Sequence, residues 1–437
     1  MVMDQMISGI LLKEIKMTIR FSIYWLLLLA CSCSKEEPSF EKKDKEGIVI
    51  DKSPAWYKRT SDEGTHGSLA STYTTYEGAY LAIQKEKGKD YLIMMDAYTG
   101  KVLWRWNDLL PFDDGYLGDI DIDFPVQKNN LFTFNTGSRA YCINLDSGVT
   151  KWKVRREKSY HSYLNQDHDH FILRDDASEI GGSAYIGNIE NSNISKLLTP
   201  PYSKDNPYLN ANLGKGGVDF VKYFQLEGID YYFVVYSEPN NSQGKYDAVT
   251  FIGLFDKSME QWKYSGIVID SINSPGGGIF IDQVLDDKVV VSIRRKILCF
   301  DLLTGKQLWE FKANKGDFLF GGHIVRYGRV YALAEGEAMY CLDVNAGYKI
   351  WSAHRPGTSS RMVEMNGVIY WRNGGDGLLY AVDAFTGKAY WKLEGPDEKC
   401  CGQGFKRELA VLPAQNGKKP MVLTSTWIGA VAYEAVK

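Results

Sequence analysis

The stretch DAYTGKVLW at residues 96–104 returns almost unchanged as DAFTGKAYW at residues 383–391. A chain that writes one nine-residue unit twice, so far apart, is built from repeats, and a fixed repeat constrains the fold more than any local propensity. Looser copies lie between them: NLDSGVTKW at 144–152, LFDKSMEQW at 254–262, DLLTGKQLW at 301–309 and DVNAGYKIW at 343–351. Most follow an alternating, β-branched or aromatic run such as DYLIMM, RAYCI, KILCF, AMYCL or GLLYAV, and such runs on either side of turn residues signal a hairpin. The leading Asp accepts hydrogen bonds from nearby backbone amides, and the Gly four positions later supplies the positive φ of a tight turn. The closing Trp then falls on the second strand.

The tryptophan spacings set the architecture. Trp104 and Trp152 are 48 residues apart, Trp262 and Trp309 47, Trp309 and Trp351 42, and Trp351 and Trp391 40. Periods of this length, with about four short strands each, specify β-propeller blades. The 110 residues from Trp152 to Trp262 hold two blades, and a degenerate unit at 184–198, AYIGNIENSNISKLL, marks the one that has lost its Trp. The final AVAYEAVK reads as the strand before a turn, with Glu434 in the Asp position, while Trp56 in SPAWYKRT lies 48 residues before Trp104. The expected fold is therefore all-β: one eight-bladed β-propeller of four-stranded antiparallel blades over residues 49–437. An N-terminal strand bearing Trp56 completes the last blade and closes the ring without a free edge.

The nonapeptide resembles the pyrroloquinoline-quinone (PQQ) repeat, whose core reads roughly Ala-x-Asp-x-x-Thr-Gly-x-x-x-Trp. The resemblance covers nearly the whole chain after residue 50. It implies that Trp56, Trp104, Trp152, Trp262, Trp309, Trp351 and Trp391 dock between neighbouring blades. It does not imply one activity, because the same eight-bladed fold serves quinoprotein alcohol dehydrogenases and the non-catalytic, BamB-type lipoproteins of outer-membrane barrel assembly.

The N-terminus reads as an export segment. Arg20 precedes a largely apolar run at 21–30, too short for the ~20 residues of a membrane span but suited to a signal-peptide core. Leu28-Leu29-Ala30-Cys31 resembles the lipobox of bacterial lipoproteins, in which the cysteine is lipidated; Cys33 is a second candidate. Residues 1–32 are assigned to this signal, with Met17 an alternative start. The charged stretch 33–48 is expected to be a flexible tether, and its SKEE opening resembles the surface-export signal of Bacteroidota lipoproteins. The whole sequence has 51 basic and 54 acidic residues, a balance that points to no nucleic-acid partner.

Chemistry is sparser. KCCGQGF places Cys400 and Cys401 side by side where the chain enters the last blade, at the mouth of the axial channel. Quinoprotein dehydrogenases carry a vicinal disulfide against PQQ, but in an early blade, and no carboxylate and amide set here matches their Ca²⁺ site. The pair is expected to stiffen a loop in an oxidising compartment. His66 in THGSLAS and His323 in FGGHIV begin inner strands and are expected at the channel. QDHDHF, at 166–171, is read as a solvated turn of blade three, and Cys142, Cys299 and Cys341, two residues before equivalent turns, as core thiols. The glycine clusters SPGGGIF and GKGGVDF precede no helix, so neither is a phosphate loop.

Loops that exceed the blade template point to a binding face. TPPYSKDNPYLNANLGKGG at 199–217 and NDLLPFDDGYLGDIDIDF at 107–124 place Tyr202, Tyr208, Asn210, Asn212, Asp113, Asp114 and Tyr116 on one rim. The sequence thus leads to a monomeric, non-catalytic ring held to the outer membrane by a lipid anchor, periplasmic or at the cell surface. It would bind protein or glycan through its loop-bearing face. No cofactor is expected; a PQQ–Ca²⁺ oxidoreductase and a glycan-binding surface lipoprotein are the alternatives.

Overall fold

The computed structural model describes residues 40–436 apart from 61–71, 88, 112–125, 137–138, 156–159, 168–169, 176–181, 203–216, 240–247, 273–278, 286, 315, 320–321, 336–337, 355–359, 375, 397–403 and 427. Lys42–Lys437 form one compact unit, a ring of eight sheets whose four-stranded blades are antiparallel. We number the blades along the chain and give each from its innermost strand outward. Blade 1 is Thr72–Tyr76, Ala79–Glu86, Lys89–Asp96 and Val102–Trp106; blade 2 is Val126–Lys128, Leu131–Thr136, Arg139–Asn144 and Thr150–Arg155. Blade 3 is Tyr160–Asp167, His170–Asp175, Ala184–Asn188 and Ile194–Leu198; blade 4 is Gly217–Leu226, Ile229–Pro239, Ala248–Asp256 and Gln261–Ile272. Blade 5 is Ile279–Phe280, Lys288–Ile293, Lys296–Asp301 and Gln307–Lys312; blade 6 is His323–Arg326, Arg329–Leu333, Ala338–Asp343 and Lys349–His354. Blade 7 is Val363–Met365, Val368–Arg372, Leu379–Asp383 and Ala389–Leu393.

Blade 8 is composite, as the sequence requires. Lys406–Leu412, Met421–Ser425 and Gly429–Glu434 come from the C-terminus, and Trp56–Arg59 pairs antiparallel with the last of them, Trp56 opposite Ala432. A second N-terminal strand, Val49–Lys52, adds in parallel to the outside of blade 7, with Val49 opposite Trp391. Part of the stretch read as tether is ordered too: the Asp44 carboxylate accepts the backbone N–H groups of Glu46 and Ile48, and Ile48 packs on the blade 7 core.

The repeated turn is built by its Asp. Oδ1 of Asp96 accepts the backbone N–H groups of Tyr98 (3.0 Å) and Thr99 (2.8 Å) and the Thr99 hydroxyl (2.8 Å), while the Gly100 N–H returns to the Asp96 carbonyl (2.9 Å). Asp301, Asp383 and, with an amide in place of the acid, Asn144 repeat the arrangement. At Asp383 partial burial opposes ionisation, but hydrogen bonds from Tyr390, Thr386 and two backbone amides outweigh it and bring the carboxyl down to about 2. Just before each of five turns a strand residue faces the repeat Trp: Met94 opposite Trp104, Cys142 opposite Trp152, Cys299 opposite Trp309, Cys341 opposite Trp351 and Ala381 opposite Trp391. A register shift follows each pair and sharpens the local twist. Cys142, Cys299 and Cys341 are buried free thiols whose pKa burial raises, to about 11, 12 and 11.

The core lies between blades rather than inside them. Each apolar cluster joins facing sheets, for example Cys299 and Trp309 of blade 5 with Val325, Val330 and Leu342 of blade 6. The Trp of one blade lies flat on the turn Gly of the next. A Cβ added at Gly100 would meet the Trp56 ring at 2.8 Å, one at Gly148 the Trp104 ring at 2.7 Å, and one at Gly387 the Trp351 ring at 2.9 Å. The indole N–H then donates into that turn: Trp56 to Ala97 O (2.9 Å), Trp104 to Leu145 O (2.8 Å), Trp152 to Ile189 O (2.7 Å) and Trp309 to Val344 O (3.0 Å). Ring packing and one directed bond thus fix these four blades against their neighbours, whereas the Trp351 ring packs on Gly387 and its buried N–H finds no acceptor among the described residues.

Trp262 departs from this rule. The unit it was assigned to, 254–262, begins two residues early: the turn Asp is Asp256, and eight positions on stands Tyr264, opposite Leu254. Tyr264 fills the docking place, with its hydroxyl donating to Leu302 O at 3.0 Å and its ring over Gly305. Trp262 pairs with Phe255 and faces back toward blade 3, in a cluster with Tyr232 and Tyr236. Glu260 replaces the turn Gly at φ +52°, and Ser192 does so in blade 3 at +63°. In blade 3 the position eight residues after the turn residue Asn188 is the exposed Lys196, and the next two residues, Leu197 and Leu198, are buried against blade 4.

Candidate functional site in the axial channel

The innermost strand of every blade borders the axis, so polar residues there face whatever enters the channel. Among the described residues a cavity of about 150 Å³ is lined by Phe220 and Lys222 of blade 4, Phe280 and Asp282 of blade 5, His323 of blade 6, and Arg361 and Met362 just before blade 7. Blades 4 and 7 are not neighbours. A cavity touched by both lies in the channel rather than in an inter-blade seam.

Each polar group there is placed by its strand. Asp282 follows the short strand Ile279–Phe280, and its Oδ2 accepts the Val325 N–H (2.9 Å) and an Arg326 guanidinium N–H (2.8 Å), which latches blade 5 to blade 6. His323 opens the inner strand of blade 6, as the sequence suggests, but is buried, with Nδ1 at 2.9 Å from the Ser292 hydroxyl. Burial pushes its imidazole down to about 4, against the pull of the Asp282 charge, so it is neutral at pH 7. Lys222 is half-buried. Desolvation lowers its ammonium pKa, Asp282 opposes that shift and the like charge of Arg361 adds to it. Among the described residues no ion pair reaches Lys222. The lining therefore sets the charged groups Lys222, Asp282 and Arg361 among apolar walls.

Sequence reading missed Lys222, Asp282 and Arg361. A signal existed for the first: Lys222 is the one basic residue in GVDFVKYFQL, an otherwise mostly apolar inner strand. The others sit outside strands and carry no pattern. Of the rim residues, Tyr202 is half-buried, its hydroxyl donating to Gly182 O at 2.7 Å and its ring edge-on to Tyr236. Tyr208, Asn210, Asn212, Asp113, Asp114 and Tyr116 lie outside the described residues, as do Cys400, Cys401, His66, Cys31 and Cys33.

The PQQ–Ca²⁺ alternative can be tested against the same channel. Among the described residues no three His, Cys, Asp or Glu side chains converge as a metal site. The cavity is also well below the ~300–1,000 Å³ usual for cofactor-sized ligands.

Comparison with known proteins agrees with the architecture. Residues 259–395, from the outer strand of blade 4 to the end of blade 7, match the family model described as outer membrane protein assembly factor BamB. No curated protein matches the chain. Among solved structures the fold is similar to BamB from Moraxella catarrhalis, with TM-score 0.53 and 11% identity over 88% of this chain and 99% of that one. A europium-containing methanol dehydrogenase gives TM-score 0.57 and 13% identity over 86% and 85%. Sqt1 from Saccharomyces cerevisiae gives 0.55 and 9% over 87% and 100%. At such identities the likeness is one of fold. The ring is a BamB-like β-propeller of PQQ-type repeats, and Lys222 lies outside the matched segment.

Proposed function

We propose that this BamB-like propeller is a non-catalytic, lipid-anchored scaffold of the cell envelope that holds a protein partner on its loop-bearing face. The match of residues 259–395 to an outer-membrane assembly factor carries the reading. Three features support it. The export-type segment at 1–32, with Cys31 or Cys33 as the lipidated residue, leads into a ring that takes three strands from its N-terminal side, Glu41–Lys43 and Val49–Lys52 in the sheet of blade 7 and Trp56–Arg59 in blade 8. The repeat turns are shaped by hydrogen bonding and inter-blade docking and carry no reacting groups. The surplus residues of the chain are concentrated in the long connections that lead from an outer strand to the inner strand of the next blade, and such loops are where propellers meet partners.

Isolation of the full-length chain from its native membranes after in-cell cross-linking tests this. The reading expects a complex of defined stoichiometry with an outer-membrane barrel-assembly protein. Recovery of the ring alone, or of a complex released by soluble polysaccharide, would overturn it, the latter in favour of glycan binding.

A further inference from the structure

We propose that residues 44–52 are a clasp: they stand in for a docking turn that the composite blade 8 lacks, and so lock the ring at the seam between blades 7 and 8. On the scaffold reading the same stretch joins the anchor to the ring, but the clasp stands without that reading.

The missing turn follows from connectivity. Elsewhere the repeat Trp of one blade meets the turn that joins the third and fourth strands of the next, as Trp309 meets Gly347. In blade 8 those two strands, Gly429–Glu434 and Trp56–Arg59, come from opposite ends of the chain, so no such turn joins them. Trp391 of blade 7 therefore faces a blade that offers it no turn glycine. It is nevertheless only 3% exposed, against 8% for Trp309, while Trp56, Trp104, Trp152 and Trp351 are half-buried. Something other than a turn covers it.

The N-terminal segment is that cover. Val49 pairs opposite Trp391 and is buried, Ile48 packs on the same core, and the Lys52 ammonium stands 5.4 Å from the centre of the indole ring, a cation–π distance. The segment is shaped by its own turn. Besides the two amides that the Asp44 carboxylate accepts, the Gly47 N–H returns to Asp44 O (3.1 Å) and the Asp44 N–H to Ile48 O (2.9 Å), with Gly47 at φ +79°. An Asp followed by a positive-φ Gly is the device of the repeat turn, rebuilt outside the repeat. From the other end of the chain the Val436 N–H donates to the Tyr370 hydroxyl at 3.1 Å, and the Tyr370 and Tyr433 rings both lie against Trp391. The two ends thus meet on one indole. A pull on the chain ahead of Asp44 acts on this seam first, because the clasp precedes every strand of the blades themselves.

Hydrogen–deuterium exchange of the full chain, read by mass spectrometry, tests the proposal. In the wild type the amides of residues 48–52 should exchange at least about tenfold more slowly than those of a free peptide of residues 44–52. Val49→Asp, which sets a charge in this buried place, should erase that protection. It should also speed exchange about tenfold or more in Ala389–Leu393 and in residues 433–436, with blades 2 to 5 unchanged. If Val49→Asp does not fold, Asp44→Ala, which removes only the carboxylate that shapes the turn, should speed exchange in the same three segments. Exchange of 48–52 in the wild type at the free-peptide rate overturns the proposal without any variant. So does a folded variant that frees 48–52 and leaves 389–393 and 433–436 at the wild-type rate, or one that speeds all eight blades alike.

Discussion

Gly347→Ala is expected to destabilise the ring by about 2–5 kcal/mol, and Gly328→Ala by only about 1–2 kcal/mol. Both glycines lie in turns of blade 6 at nearly the same left-handed φ, +71° and +67°. The backbone cost of adding a Cβ is therefore common to the two. What differs is the neighbour. At Gly328 nothing lies within 4 Å of the added atom, whereas at Gly347 it falls 2.5 Å from Cδ2 and 2.6 Å from Cε3 of Trp309. That indole cannot easily withdraw, being 8% exposed and held by its N–H to Val344 O. Urea denaturation of the two variants measures the difference directly. Equal losses would show that the Trp does not press on the turn, and that the blades are held by some other contact.

Trp309→Ala should cost about 3–5 kcal/mol, the usual range for emptying a buried aromatic site. The informative extension is in blade 4, where the docking residue is Tyr264 rather than Trp262. In a double-mutant cycle, Tyr264→Ala and Gly305→Ala should couple by about 1 kcal/mol or more, because a Gly305 Cβ would strike the Tyr264 ring at 2.8 Å, beside a closer contact with Ile267 Cδ1 that Tyr264→Ala leaves in place. Trp262→Ala and Gly305→Ala should add without coupling, since Trp262 packs with Phe255 and Tyr236 on the side facing blade 3. Coupling at Trp262 and none at Tyr264 would reverse this assignment.

That misplaced aromatic shows how far the sequence reading reached. The blade number, the period and the composite last blade were legible because a turn Asp, a positive-φ Gly and a docking Trp are each demanded by geometry and recur together. Blade 4 keeps the Asp but replaces Gly with Glu260 and Trp with Tyr264, and a Trp two residues earlier drew the register to itself. The spacing from Asp256 to Tyr264 matches that from Asp96 to Trp104, so position was the reliable signal and residue type the misleading one. The strand Val49–Lys52 was invisible for another reason: a parallel strand on an outer edge needs no turn and leaves no repeat. The channel site was illegible because its residues come from four blades and share no pattern. Lys222 shows only as one charge in an apolar strand, and its meaning depends on Arg361, almost 140 positions away.

The claim that this ring has a binding rather than a quinone-dependent role is tested most directly by melting the purified chain with and without PQQ and Ca²⁺. A ligand at 100 times its dissociation constant stabilises a folded protein by about 2.7 kcal/mol. For a chain of this size that is a shift of several degrees. The account predicts an unchanged melting temperature, because a binding ring needs neither the quinone nor its metal, and among the described residues no metal-ligand cluster is gathered. A saturable rise that requires both PQQ and Ca²⁺ would contradict it and return the chain to the oxidoreductases whose fold it shares.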